Sequence, residues 1–133
     1  MPQTIVALVE DLVFTAKLRA AAQGIDVSLQ ITSQPEEWLQ LIRRAAPTLV
    51  LIDLNFSRAD ALALVAQART AVNGRATPLV GFLSHVQAER ALAARTAGCT
   101  AAIPRSLFVQ CLPALLRDGA SALQTAADAA PAS

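Results

Sequence analysis

The sequence predicts an α/β domain in which a five-stranded parallel sheet carries helices on both faces. Strand-like apolar runs recur at intervals of about 20 to 30 residues, segments with helical spacing lie between them, and Gly, Pro and Ser mark the joints. Parallel neighbours need long crossovers, and right-handed crossovers cover both sides of the sheet.

The first strand is the run Thr4–Val9, after which Leu12, Thr15, Ala16, Leu18 and Arg19 follow with the period of a helix. Gly24 ends that helix, as suits a residue that reaches the left-handed C-cap conformation without steric cost. Val27–Ile31 is the second strand. Ser33-Gln-Pro-Glu36 matches a capping box and opens a helix through Trp38, Leu41, Ile42 and Ala45. Pro47 leads into the third strand, Leu49–Ile52, and a helix through Leu62, Val65, Ala66 and Arg69 ends near Gly74. Pro78 leads into the fourth strand, Leu79–Leu83. Ser84-His-Val-Gln87 is a second capping box, and a helix with Val86, Arg90, Leu92, Ala93 and Ala94 ends at Gly98. A short fifth strand, Ala101–Ile103, precedes a last helix from Ser106 through Leu107, Cys111, Leu115 and Leu116. Pro113 is tolerable there only in or near the first two turns. Residues 1–118 then form one domain, and residues 119–133 read as an Ala-rich helical extension or flexible tail.

Composition narrows the function. The 133 residues amount to one domain, and 54% apolar against 16% charged residues suit a well-filled core and argue against disorder. Eleven Lys and Arg against ten Asp and Glu leave +1, too little for the basic surface that sequence-independent nucleic-acid binding requires. Cys99 and Cys111 lack redox or zinc spacing and read as small hydrophobes, which fits a reduced cytoplasm. The first apolar run spans six residues where a membrane span needs about 20. A mean hydropathy of +0.45 leaves room for a self-association surface, as in a homodimer.

Any site in such a fold lies at the carboxyl ends of the strands. There the sequence places Glu10 and Asp11 after the first strand, Asp53, Leu54 and Asn55 after the third, Ser84 and His85 after the fourth, and Pro104, Arg105 and Ser106 after the fifth. Carboxylates brought together repel unless a cation neutralises them, and Mg2+, a hard ion that prefers oxygen ligands and keeps waters and phosphate oxygens, is the economical answer. The chemistry this points to is phosphoryl transfer. Blander roles compete at each position. Asp11 suits a helix N-cap, Asp53 a turn, Ser84 a capping box, and Arg105 a solvated or permanently neutralising cation. His85 reads as a loop histidine and Trp38 as core.

In order and spacing these residues resemble the receiver domain of two-component response regulators, a flavodoxin-like (βα)5 fold, over about residues 3 to 118. Val9-Glu10-Asp11 is similar to that family's magnesium-holding acidic pair. Leu49-Val-Leu-Ile-Asp53 is similar to its third strand ending in the phosphoacceptor, 42 residues after Asp11. Asn55 matches the position whose carbonyl completes the metal shell, Gly81-Phe-Leu-Ser84 the strand ending in the Ser or Thr that bonds the phosphoryl group, and Arg105 the invariant lysine. The resemblance implies Asp53, Ser84 and Arg105 as phosphotransfer residues and Glu10, Asp11, Asp53 and Asn55 as Mg2+ ligands. It also implies a sensor histidine kinase or phosphotransfer protein as donor and a downstream signalling protein as target. No catalysis is expected beyond self-phosphorylation and dephosphorylation at Asp53.

Departures accompany the matches. Arg105 stands for lysine, Ser57 for a Pro four residues after the acceptor, Ala61 lies near the place of a further Gly, and Ala102 for the aromatic switch residue. Arg favours a bidentate grip on carboxylate where Lys is a point charge, so Arg105 is able to lock Asp53. Two readings therefore stay open: a stand-alone phosphoacceptor, and a pseudo-receiver that signals through protein contacts without phosphate. A flavodoxin-like enzyme that binds FMN or hydrolyses a substrate is weaker, because Glu10-Asp11-Leu12 after the first strand would repel an anion.

Overall fold

The computed structural model describes residues 3–72, 77–84 and 88–119. His85, Gly74, residue 87 of the second capping box and the tail from residue 120 lie outside the described residues.

Five strands, β1 (Gln3–Leu8), β2 (Val27–Thr32), β3 (Leu49–Asp53), β4 (Leu79–Leu83) and β5 (Ala101–Pro104), alternate with five helices, α1 (Leu12–Ala22), α2 (Pro35–Ala45), α3 (Ala61–Ala71), α4 (Ala88–Ala97) and α5 (Arg105–Asp118). All pairings are parallel, in the order β2-β1-β3-β4-β5. The expected fold class is therefore the one observed. β3 and β4 are buried along their whole length, whereas the edge strands β2 and β5 are mostly half-buried. This is why the central strands read as unbroken apolar runs. No helix among the described residues is long and apolar enough to cross a membrane.

Alternation along the strands sorts side chains into two cores. Val6, Leu8, Val50 and Ile52 face α2, α3 and α4, where Trp38, Ile42, Leu64 and Val65 are buried. Ile5, Ala7, Leu49, Leu51, Val80 and Phe82 face α1 and α5, with Phe14, Leu18, Phe108 and Leu112. Trp38 is fully buried, as expected of a core residue, with its indole N–H unpartnered. Cys99 is buried and Cys111 half-buried; both thiols are free, and burial pushes the Cys99 thiol up to about 11.

One local expectation needs correction. Ser33 does not cap α2: the N-cap is Gln34, without a side-chain bond, and Pro35 stands at the first helical position. The Thr32 hydroxyl instead accepts the Gln34 N–H at 3.0 Å, because the strand runs one residue further than expected. Pro113 falls directly after the second turn of α5, near enough to the helix start for the expected helix through Leu116 to form, and it runs on to Asp118. Its ring is exposed, while Phe108, Leu112, Leu115 and Leu116 anchor the buried face on either side of it.

Candidate functional site

The chain leaves β1 for β2 on one side and comes back to β3 on the other, so the strand order reverses between β1 and β3. That reversal opens a crevice at the carboxyl ends of the two strands. Glu10 and Asp11 follow β1, Asp53 ends β3, and Asp53 pairs with Phe82 of β4. By strand parity Asp53 continues the series Leu49, Leu51 toward α1 and α5. Arg105 continues the series Ala101, Ile103 on the same face, as the first residue of α5 after Pro104.

Three stretches of chain meet there. Arg105 Nη1 donates to Asp11 Oδ2 and Nη2 to Asp53 Oδ2, each at 3.4 Å. Asp11 Oδ1 also accepts from the Val13 and Phe14 N–H groups at 2.8 and 3.2 Å, so this residue caps α1, as expected of an N-cap, while its other oxygen faces Arg105. Those amide bonds, the Phe14 one foremost, lower the Asp11 pKa with help from Arg105 against the opposing effect of burial. Asp53 is only 3% exposed. Burial raises its pKa, and Glu10 and Asp11 add to this; the Asn55 N–H, at 2.8 Å from Oδ1, and Arg105 pull the other way.

The loop after Asp53 is tied on all sides. Leu54 N–H donates to the Phe82 carbonyl, and the Leu54 carbonyl accepts from Arg90 Nε and Nη2 at 3.0 and 2.6 Å. Asn55 Oδ1 accepts the Ser84 backbone N–H at 2.6 Å, which places the exposed Ser84 beside the loop after Asp53. Glu10 bonds to that loop further along, at Ser57. Its carboxylate accepts from the Ser57 N–H and hydroxyl at 2.9 and 3.0 Å and faces Arg58 Nε at 3.9 Å.

The resemblance implies a divalent ion here, and the donor types suit one: carboxylates at the ends of two strands. The arrangement does not. Mg2+ needs oxygens at about 2.0–2.1 Å around one point. Asp11 and Asp53 instead face two nitrogens of one guanidinium, and Glu10 is held by Ser57. No group of three His, Cys, Asp or Glu among the described residues is placed to hold a metal ion. Asp11 and Asp53 thus meet at Arg105, while Glu10 bonds to Ser57 and acts on Asp53 through its charge.

Three residues that the sequence reading did not assign to the site belong to it. Phe14 and Phe82 lie beneath Arg105, whose Cζ is 4.6 Å and 5.6 Å from their ring centroids. Strand parity places Phe82 on the face of Asp53, and helical spacing places Phe14 three residues after Asp11, so both were open to inference. The third, Arg90, carries no such signal.

No family model and no curated protein matches this chain. Solved structures do. It is similar to a CheY-like response regulator receiver domain protein from Methanospirillum hungatei, at 15% identity and a TM-score of 0.76 over 98% of this chain and 100% of that one. It is similar to a response regulator from Hahella chejuensis, at 17% identity and a TM-score of 0.76 over 86% and 92%. It is also similar to the Mn(2+)-bound form of the response regulator Rcp1, at 13% identity and a TM-score of 0.71 over 86% and 91%. At these identities the likeness is one of architecture, and it extends over most of each chain. This chain has the fold of response regulator receiver domains.

Proposed function

We propose that this chain acts as a receiver domain in two-component phosphorelay signalling, with Asp53 as its phosphoacceptor. The observation that carries the reading is Asp53 itself: a carboxylate buried at the end of a central strand, one oxygen set by the Asn55 amide and the other facing a cation. In this reading Asp53 attacks the phosphorus of a phosphohistidine on a sensor kinase or phosphotransfer protein. A P–O bond forms as the P–N bond breaks, and the electron pair leaves with the imidazole nitrogen, which takes up a proton. Arg105 and Ser84 grip the phosphoryl oxygens, and a downstream protein reads the product. A cytoplasmic setting fits this chemistry. Mg2+, if it takes part, would need Glu10, Asp11, Asp53 and the Asn55 carbonyl to rearrange, so no step is assigned to it.

A second reading, the pseudo-receiver, is favoured by Arg105 engaging both Asp11 and Asp53 and by Ala102 in place of an aromatic ring. Fluorine NMR of the protein with beryllofluoride and magnesium separates the two. A bound resonance that Asp53→Asn abolishes supports the phosphoacceptor; its absence from the wild type supports the pseudo-receiver.

A further inference from the structure

We infer that Arg105 is the resident counter-ion of this site: its guanidinium, seated on the Phe14 and Phe82 rings, holds Asp11 and Asp53 in the place a divalent ion would need. The inference rests on Asp53 being the acceptor position and does not require that it be phosphorylated. Each terminal nitrogen of the fork faces a different carboxylate, so the planar group spreads over two nitrogens what a compact ammonium would have to do from one.

The seat beneath is fixed. Phe14 and Phe82 are 2% and 0% exposed, with centroids 4.7 Å apart, and Phe82 stacks on Phe108 at 4.7 Å. A cation over these ring faces gains from their quadrupoles. Arg105 Nε is buried without a hydrogen-bond partner, so the rings and the two carboxylates set the position of the group and Nε does not. Glu10, the third acid, is already answered by the Ser57 hydroxyl and by Arg58. A dication entering between Asp11 and Asp53 would meet a fixed positive charge, and would have to displace the guanidinium from both carboxylates and from its aromatic seat.

Electron paramagnetic resonance, which reads free Mn2+, tests this on the full chain by titration of the wild type, Arg105→Lys and Arg105→Gln. Arg105→Gln is expected to bind Mn2+ at least about tenfold more tightly than the wild type, with Arg105→Lys between them. Asp53→Asn introduced into Arg105→Gln is expected to remove the gain. Wild-type binding within about threefold of Arg105→Gln overturns the inference. If circular dichroism shows Arg105→Gln unfolded, Arg105→Lys decides by the same comparison. Phe14→Leu keeps an apolar side chain and removes the ring; unchanged Mn2+ affinity there overturns the seat. The two readings fail separately. Beryllofluoride silence together with a Mn2+ gain in Arg105→Gln removes only the phosphoacceptor, whereas a beryllofluoride response together with full wild-type Mn2+ affinity removes only the counter-ion.

Discussion

Arg105 Nη2 stands 3.4 Å from Asp53 Oδ2 although 52 residues of chain separate them, and this contact does not make up for the burial of the acid. The Asp53 pKa is raised, burial being the first cause. A carboxyl with a higher pKa folded than unfolded stabilises the protein most below its ordinary value of 3.8, and that contribution is lost as the pH rises through the folded pKa. Asp53→Asn removes the buried charge and keeps an oxygen for the Asn55 N–H. It is expected to be more stable than the wild type by about 1 kcal/mol at neutral pH in urea unfolding. The difference is expected to vanish on acidification toward 3.8.

Gly81 leaves room for Leu54. A Cβ at Gly81 would lie 2.6 Å from Leu54 Cδ1 and 2.7 Å from Cγ, and Leu54 is fully buried. Gly81→Ala is expected to cost about 1–3 kcal/mol by overpacking. Leu54→Ala should relieve that clash, so a double-mutant cycle is expected to show a coupling of about 1 kcal/mol or more. Additive effects would place the strain elsewhere.

Arg69 ties the end of α3 to the starts of β4 and β5. Its Nε donates to the Gly98 carbonyl at 3.0 Å, Nη1 to the Thr77 carbonyl at 2.9 Å and Nη2 to the Thr100 hydroxyl at 3.2 Å. Arg69→Met leaves two carbonyls without this donor and is expected to lower stability by about 3 kcal/mol in urea unfolding. Arg69→Lys, which lacks the fork, should recover only a minor part.

Ala46, the C-cap of α2, sits at φ 47° and ψ 60°, in the left-handed region that costs a side chain about 1–2 kcal/mol. Ala46→Gly is expected to stabilise the protein by up to about 1 kcal/mol, visible as a higher melting temperature.

The fold was legible because burial on both faces leaves β1, β3 and β4 as apolar runs, and because Gly24 and Gly98 stand at helix ends with positive φ. Boundaries were less so. The Ser33 pattern fits a capping box, but pairing with β1 extends β2 to Thr32 and the N-cap is Gln34, with the helix starting at Pro35. Pro113 sits just after the second turn of α5, whose packed face carries the helix on to Asp118.

For the site, strand ends gave Asp11, Asp53, Ser84 and Arg105 their neighbourhood, since parallel strands of one sheet deliver their carboxyl ends to one edge. What side chains do once there depends on distances that spacing does not encode. Glu10 turns to Ser57, Arg105 reaches two acids at once, and Arg90 grips the Leu54 carbonyl from α4, 36 residues away.

The central claim, that Asp53 accepts a phosphoryl group, is tested most directly by incubating the full chain with acetyl phosphate and magnesium and locating the modification by mass spectrometry. The account predicts a phosphoryl group on the peptide containing residue 53 that disappears in Asp53→Asn. An unmodified chain, or a modification that persists in Asp53→Asn, would contradict it.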